Sequence, residues 1–194
     1  MSSSSQPGAR WSTRLTVVAM RSSDTLGLMT IEFREAKPGE YDEAGRVTAL
    51  AYLEFAPEGN DDWNGYLQRI ADVAGRAART TILVAVERGR VLGSATLELT
   101  DRVEPDADQR LEPGQAEIRM LGVHPDARRR GIARALMEAS LGAAREAGKT
   151  LVTLHTTPRM LAAQAMYESL GFVRGEDWLF PDGFVLLSYS FELV

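Results

Sequence analysis

A basic turn between a strand and a helix constrains the fold of this chain more than any other stretch of its sequence. Residues 116–123 form an apolar, β-rich run, and a helical pattern of apolar side chains covers residues 128–147. The turn between them carries three arginines and a glycine: Arg128, Arg129, Arg130 and Gly131. Free N–H groups and the positive dipole end at a helix start suit a phosphate, and Gly131 lets a ligand approach the backbone closely. The stretch therefore predicts an anion site within a fold that mixes strands and helices.

The rest of the pattern predicts a single α/β domain at residues 29–194, because 194 residues suffice for one compact domain with a full core. Strands are predicted at residues 30–34, 80–86, 90–99, 116–123, 151–155, 172–179 and 184–191. Helices are predicted at residues 38–55, 61–78, 128–147 and after an N-cap at Thr157, with a polar loop at 100–114. The second and third strands form a hairpin through Gly89. We expect residues 1–28 to be a flexible, non-secretory extension.

Charge and composition exclude several classes of function. A net charge of −5 argues against a general nucleic-acid binder. The chain has no cysteine, which excludes disulfides and thiolate catalysis, and its two histidines lack the spacing of a metal site, so no metal is predicted. The apolar runs are far shorter than the roughly 20 residues that span a bilayer. We therefore expect a protein of the reducing cytoplasm with neither a membrane nor a nucleic acid as partner.

Two motifs in register give the basic turn a specific interpretation, although an isolated arginine run usually faces solvent. Arg128-x-x-Gly131-x-Ala133 resembles the Q/R-x-x-G-x-G/A acyl-CoA signature of the GNAT superfamily of N-acetyltransferases. The preceding Val123-His124-Pro125 resembles the end of that family's fourth strand. Further on, Ala163-x-x-x-Tyr167-x-x-x-Gly171-Phe172 resembles the family's A-x-x-x-Y-x-x-x-G-F segment at the expected distance. The resemblance covers residues 30–192.

The resemblance implies a GNAT fold and an acetyl-CoA-dependent reaction. In this fold a mixed, mostly antiparallel sheet is flanked by helices, and its fourth and fifth strands are parallel and splayed at the acyl-CoA site. The reaction transfers the acetyl group of acetyl-CoA directly to a primary amine, on a small molecule, a peptide or a protein. Homodimers are common in the family, so a homodimer is also an expectation. The implied cofactor-binding residues are Leu121, Gly122, Val123, Arg128, Arg129, Arg130, Gly131, Ile132, Ala133 and Arg134.

The resemblance also implies two catalytic side chains. Glu117 lies in an Ala-Glu-Ile context that resembles the general base of the family's histone-acetylating branch. Tyr167 matches the tyrosine that many members direct at the sulfur of CoA, where a phenol can protonate the departing thiolate. Strand alternation places Arg119 on the same face as Glu117, where a cation favours the charged carboxylate. The backbone N–H of Leu121 or Val123 is the candidate for polarising the thioester carbonyl.

Some positions depart from the family pattern or allow two interpretations. Met160 stands where many members carry an asparagine, seven residues before the tyrosine. Gly122 is either an ordinary strand glycine or the mark of the bulge that parts the family's fourth strand. His124 and His155 are interpreted as structural. The aromatic residues of the first two helices are interpreted as core packing, although in the family these helices also wall the acceptor site: Tyr52, Phe55, Trp63 and Tyr66.

Two alternative functions compete with acetyl transfer. Residues 142–150 superficially resemble a nucleotide-binding Walker A loop, but they have one residue too many between the glycines and lead from a helix into a strand, which is the wrong direction. Gly148 is better explained as the end of a helix. The other alternative is a non-catalytic acyl-CoA-binding regulatory module of the same fold. The acceptor itself stays open among drugs, polyamines, amino acids, peptide N termini and protein lysines.

Overall fold

Eight strands within the described residues form one open sheet. The computed structural model describes residues 30–56, 63–100, 111–181 and 183–194. The strands are β1 (Glu32–Glu35), β2 (Thr81–Glu87), β3 (Arg90–Glu98), β4 (Gln115–Val123), β5 (Leu151–Thr156), β6 (Val173–Arg174), β7 (Trp178–Leu179) and β8 (Val185–Glu192). Their order is β1-β2-β3-β4-β5-β8-β6, with β7 also paired to β8. Only β4 and β5 run parallel among these pairs, so the predicted α/β class with a mixed, mostly antiparallel sheet is confirmed.

Helices cover both faces of this sheet. The α-helices of the described residues are α1 (Tyr41–Leu53), α2 (Trp63–Ala71), α3 (Val73–Ala77), α4 (Ile132–Glu146) and α5 (Leu161–Ser169). On one face Val47 of α1 and Val73 of α3 pack with Val84 of β2. On the other face Leu136 of α4 packs with Leu83 of β2, and α5 extends this layer over β5 and β8. No helix in the described ranges is long and apolar enough to cross a membrane.

β2 is apolar along most of its length because helices cover both faces of the sheet. Residues 82–86 are all buried, with Ile82 and Val84 in the core beneath α1 and with Leu83 and Ala85 in the core beneath α4. A strand that is buried on both faces loses the usual alternation of apolar and polar residues. This central strand and β3, its hairpin partner, support β4, which carries the candidate site.

Small residues let α1 approach the sheet closely. A Cβ on Gly122 of β4 would lie 3.0 Å from the Cα of Thr48 in α1. The hydroxyl of Thr48 donates to the carbonyl of Ala44 at 2.9 Å, so Ser94 of β3 donates to Thr48 Oγ1 across 2.7 Å. Gly122 thus permits helix packing, and these contacts hold α1 over β3 and β4.

The predicted second helix is in fact two helices. Asp72 separates α2 from α3, because its carboxylate accepts the N–H of Gly75 at 2.8 Å and caps the new helix. Three predicted features lie outside the described residues: the first residues of that helix at 61–62, residues 101–110 of the polar loop, and the extension at 1–28.

The start of α4 also differs from the prediction. The helix begins at Ile132 rather than at residue 128. A 3-10 turn at Pro125–Ala127 and two residues with positive φ, Arg129 and Gly131, come before it. Because a residue with positive φ cannot continue a right-handed helix, the basic residues form a loop rather than the first helical turn.

The last helix and the strands after it are shorter than predicted. Met160 is the N-cap residue of α5 and no side chain caps this helix, so the predicted cap at Thr157 is wrong. Thr157 instead closes a turn through its carbonyl, which accepts the N–H of Met160 at 3.1 Å. The predicted strand at 172–179 is two short strands, β6 and β7, and Arg174 pairs with Asp177 in the segment between them. The other strands lie within two residues of their predicted bounds.

Gly45 of α1 allows a test of this packing. A Cβ there would lie 2.0 Å from the carbonyl oxygen of Ala71 in α2, so the two helices would have to separate. We expect Gly45→Ala to lower the free energy of unfolding by about 1–3 kcal/mol, although alanine favours helix. In the matched control, Gly142→Ala in α4, nothing lies within 4 Å of the added Cβ. That control should gain about 0.5–1 kcal/mol. Urea unfolding measures both, and equal stabilisation of the two variants would contradict the close packing.

Candidate active site

β4 and β5 part halfway along β4. Their parallel pairing runs from Gln115 opposite Leu151 to Ile118 opposite Leu154 and then stops. β4 nevertheless continues to Val123. The second half of β4 therefore has β3 on one side and a gap on the other.

A bulge turns β4 where this pairing ends. From Arg119 opposite Thr96 to Gly122 opposite Ser94, β4 has one residue more than β3. Met120 within this stretch has a positive φ of 53°. Such a conformation costs a non-glycine residue roughly 1–2 kcal/mol. The bulge that the sequence associates with Gly122 therefore exists, but the residue with the unusual backbone is Met120.

The backbone of the second half of β4 offers hydrogen-bond donors to the gap. The N–H of His124 donates to the carbonyl of Leu92 in β3 at 2.8 Å. N–H groups alternate between the two sides of a strand, so Gly122 also faces β3, whereas Leu121 and Val123 face the gap. These two N–H groups are the candidates, named in the sequence analysis, for polarising a thioester carbonyl.

The basic turn borders a cleft of about 300 Å³ between β4, α4 and α5. Arg129 and Gly131 have φ values of 60° and 74°, and no side chain caps the first turn of α4. The first N–H groups of α4 therefore lack the partner that a capping side chain would supply. Of the predicted cofactor-binding residues, Leu121, Gly122 and Arg130 do not line the cleft. Its walls are formed by Val123, Ala127, Arg128, Arg129, Gly131, Ile132, Ala133, Arg134, Ala162 and Met166.

The arginines of this region differ in what their guanidinium groups contact. Three of them have a side-chain partner within 2.7 Å: Arg128 with Glu54, Arg130 with Glu87 and Arg134 with Ser169. The side chain of Arg129 makes no ion pair or hydrogen bond within the part of the chain that the structure describes. Arg129 is thus the arginine of this group whose charge is available to a ligand without breaking another contact.

Several of the other predicted cofactor-binding residues have side chains that turn away from solvent. Ile132 is only 1% exposed, and Leu121 packs against the core. At Ile132, which lines the cleft, a ligand would therefore meet the backbone rather than the side chain. Met160, which replaces the family's asparagine, accepts a hydrogen bond from Thr156 Oγ1 at 3.3 Å through its sulfur. Its thioether has no N–H to offer a ligand.

Tyr167 lies behind the point where the two strands part. Its ring belongs to the same core cluster as Ile118 and Leu154, the last residues paired between β4 and β5. The rings of Phe172 and Tyr189 lie 6.0 and 5.7 Å from it, centroid to centroid. The ring of Tyr167 is therefore packed into the core whatever its hydroxyl does.

The hydroxyl of Tyr167 keeps its proton at neutral pH. Burial raises the pKa of Tyr167 above its ordinary value, and Tyr189 adds to the rise, so the phenol is protonated at neutral pH. The hydroxyl makes no hydrogen bond with any described residue. Burial also raises the pKa of Tyr52 in α1, and Tyr66 and Tyr167 add to that rise.

Glu117 lies on the α1 face of β4, next to a second buried carboxylate. Its side chain is 4% exposed, and it sits directly opposite Glu98 of β3, whose side chain is fully buried. Arg119, which the sequence places on this face, lies 3.8 Å from Glu98. The bulge follows Arg119, so it does not separate Arg119 from Glu117. The cation partly balances the two carboxylates.

A second cation reaches this face from α3. Arg76 is 2% exposed and donates from Nε to Thr96 Oγ1 at 3.1 Å. Burial lowers the pKa of Arg76 to about 10, with Asp72 and Glu98 opposing the shift, so the guanidinium stays charged at neutral pH. Carboxylates and cations therefore alternate beneath α1.

His155 is the site residue that the sequence analysis missed. Its Nδ1 lies 3.1 Å from Glu117 Oε1, and its ring lies 4.2 Å from the ring of Trp178 in β7. The strand register links the two residues. Glu117 is opposite Thr153 in β5, and His155, two residues after Thr153, points to the same face of the sheet. The ring of Tyr52 in α1 lies 6.3 Å from that of Tyr66 in α2, centroid to centroid.

Two solved structures share this fold. The yncA protein of Salmonella typhimurium, solved with its cofactor acetyl-CoA, is similar over 84% of this chain and 94% of its own, with a TM-score of 0.62 and 21% identity. The ribosomal-protein-S18-alanine N-acetyltransferase of Escherichia coli is similar over 84% of this chain and 93% of its own, with a TM-score of 0.61 and 18% identity.

Two curated relatives are similar in sequence. Mycothiol acetyltransferase of Geodermatophilus obscurus is 28% identical over 145 residues, which are 74% of this chain and 45% of the relative. N-acetyltransferase family 8 member 3 of Rattus norvegicus is 33% identical over 97 residues, which are 50% of this chain and 40% of the relative. The chain thus spans less than half the length of either relative.

A family model agrees with the geometry of the gap and the basic turn. Residues 43–172 match the model of the acetyltransferase (GNAT) family, a segment that contains β4, the basic turn and Tyr167. This match covers more than half of the chain, so the protein belongs to the acetyltransferase (GNAT) family.

Proposed function

We propose that the protein is an N-acetyltransferase that moves the acetyl group of acetyl-CoA to a primary amine by direct transfer. The observation that carries this proposal is the cleft between the uncapped start of α4 and the parted strands, with Met166, the neighbour of Tyr167, in its wall. Acetyl-CoA carries phosphates and, at the end of a narrow arm, a reactive thioester. Its phosphates fit the start of α4, and its thioester fits the gap between the strands. The names of the relatives support the reaction class.

The residues of the cleft fit the two parts of acetyl-CoA. The first N–H groups of α4 and the guanidinium of Arg129 suit the pyrophosphate, because both supply positive charge without a competing partner among the described residues. The small side chain of Ala133 keeps the backbone accessible. Val123 and Met166 give the pantetheine arm an apolar wall, and the N–H groups that face the gap suit its amide and the thioester carbonyl.

The transfer requires one base and one acid. The amine nitrogen attacks the carbonyl carbon, the C–S bond breaks, and the acetyl group ends on nitrogen while CoA leaves as a thiolate. We assign the removal of the amine proton to Glu117 and its hydrogen-bond partner, and the protonation of the thiolate to Tyr167. Direct attack needs no acyl-enzyme, and the chain has no cysteine to form one as a thioester.

The acceptor is proposed as a class only. A primary amine agrees with the N-acetyltransferase names of the rat relative and of the structural neighbour from Escherichia coli. The reducing cytoplasm remains our prediction for its compartment, because the chain has no cysteine. Residues 29–194 as a single domain and a homodimeric assembly likewise remain predictions.

Acetyl-CoA should bind to the cleft and raise the thermal midpoint, since a ligand of the folded state stabilises that state. We expect Gly131→Val to abolish the binding measured by calorimetry, because the added side chain fills the approach to the backbone. Gly89→Val is the matched control: Gly89 has a φ of 76° close to that of Gly131, but it lies in the β2–β3 hairpin with nothing within 4 Å of an added Cβ. It suffers the same backbone strain and should keep acetyl-CoA affinity. If Gly131→Val binds acetyl-CoA as tightly as the parent, the basic turn is not part of the cofactor site.

Tyr167→Phe should lower kcat by about tenfold or more with little change in acetyl-CoA affinity, because it deletes only the proposed acid. The raised pKa of Tyr167 keeps the acid form present as pH rises, so the parent should show no loss of kcat from this group up to about pH 10. Tyr189→Phe is the matched control, since Tyr189 is also buried beside Tyr167 but its hydroxyl contacts Glu168 at 3.2 Å. Pre-steady-state and pH-dependent kinetics measure both variants. A Tyr167→Phe enzyme with parental rates, limited by chemistry, would leave Tyr167 with a packing role only.

A further inference from the structure

Glu117 and His155 form a buried hydrogen-bonded pair at the place where β4 and β5 part. The pair joins the two strands at the end of their ladder: Glu117 is still paired, opposite Thr153, and His155 is the first residue after the last pair, Ile118 and Leu154. Trp178 of β7 lies against one face of the imidazole, with 4.2 Å between ring centroids. The ring is thus fixed at its Nδ1 edge by a carboxylate and on one face by an indole.

The imidazole is the more accessible member of the pair. The side chain of His155 is 13% exposed, whereas that of Glu117 is 4% exposed. Nε2 of His155 makes no hydrogen bond with any described residue, because the contacts of this ring are those with Glu117 and Trp178. A molecule that enters the gap therefore meets the imidazole more readily than the carboxylate.

The contact with Glu117 also decides which ring nitrogen can act as a base. An ionised carboxylate only accepts hydrogen bonds, so when Glu117 is charged this contact requires Nδ1 to donate, and the neutral ring then carries its proton on Nδ1. The lone pair of the ring then lies on Nε2. Without this partner, neutral histidine prefers the opposite tautomer in water, with the lone pair on the nitrogen that here faces Glu117.

We propose that His155 is the general base of the transfer and that Glu117 positions it; this inference rests on the acetyltransferase function proposed above. Nε2 takes the proton from the amine nitrogen as that nitrogen forms its bond to the acetyl carbon. The ring becomes an imidazolium whose Nδ1–H faces the carboxylate of Glu117. The electrons of the broken C–S bond leave with the thiolate, which receives its proton from Tyr167. After the products depart, His155 releases its proton to solvent and the phenolate of Tyr167 takes one up, so both groups return to their starting states.

Other charged groups surround the Glu117–His155 pair and contribute to the net charge of this site. Arg119 on β4 and Glu98 on β3 lie on the Glu117 side of the sheet, and Arg76 of α3 approaches them. Asp177 lies next to Trp178 and is paired with Arg174. The residue of β8 opposite His155 is Ser188, which does not titrate. Among these groups, Glu117 is the one in hydrogen-bond contact with the ring.

Nitrogen-15 NMR of the histidine rings tests the geometry without any acceptor. The chain has two histidines, so the spectrum of His124→Gln contains ring signals of His155 only, which assigns them. We expect neutral His155 to carry its proton on Nδ1, and Glu117→Leu, which removes the acceptor, to convert a major fraction of the ring to the tautomer with the proton on Nε2. Neutral His155 with its proton on Nε2 in the parent, or a tautomer unchanged by Glu117→Leu, overturns the proposal.

Steady-state kinetics with saturating acetyl-CoA and an amine found by screening test the chemistry. His155→Asn is the informative variant, because the amide nitrogen of asparagine can replace Nδ1 as a donor to Glu117 but supplies no base in place of Nε2. We expect His155→Asn to lose about 10²-fold or more in kcat/KM for the amine, because no base replaces Nε2. Glu117→Gln should lose less, since the imidazole remains. Calorimetry should find parental acetyl-CoA affinity for both variants.

The outcomes separate this inference from the function on which it rests. If the parent protein binds no acetyl-CoA and acetylates no amine, the proposed function itself is wrong. If the parent is active and His155→Asn retains its rate and its pH profile, His155 only ties the strands together and the inference is wrong. A larger loss in Glu117→Gln than in His155→Asn would make the carboxylate the base.

Discussion

The interrupted pairing of β4 with β5 is the constraint on which the rest of this site depends. Two parallel strands normally satisfy each other's backbone along their length, but here the ladder ends at Ile118. The bulge at Met120 diverts β4 at this point, and its backbone strain is sustained by β3 on one side and by α1 packed against Gly122. The diverted strand leaves N–H groups facing a gap. The cleft, the phenol of Tyr167 and the Glu117–His155 pair all lie around that gap.

The charges around the gap are divided according to the face of the sheet. Positive charge collects where β4 meets α4, through the helix dipole, the uncapped N–H groups and Arg129. Carboxylates collect on the α1 face, where Glu117 and Glu98 lie opposite each other. A phosphate-bearing cofactor and a proton-abstracting group thereby have separate electrostatic environments, although both are attached to the same strand. Strand alternation produces this division, because successive side chains of β4 point to opposite faces.

The elements of the fold were largely predictable, whereas their breaks were not. Apolar periodicity located every strand except β6 and β7 to within two residues, because burial of one or both faces leaves a strong pattern in the sequence. The break at Asp72 and the loop at Arg129 were missed, since a single capping side chain or a positive φ does not alter that pattern. His155 was missed for a different reason: a histidine near a strand end has no distinctive local signature, and its carboxylate partner is 38 residues away.

The sequence by itself determined the order of elements, the basic turn with Gly131, and the two motifs whose spacing identifies the family, because these depend on residues that are close along the chain. Tertiary structure alone decided which arginine remains without a side-chain partner among the described residues, which residue carries the bulge, and that Glu117 meets His155. Each of these depends on the register between strands or on the approach of a helix to the sheet. Register and approach are fixed by packing across the whole core, so no local pattern of residues records them.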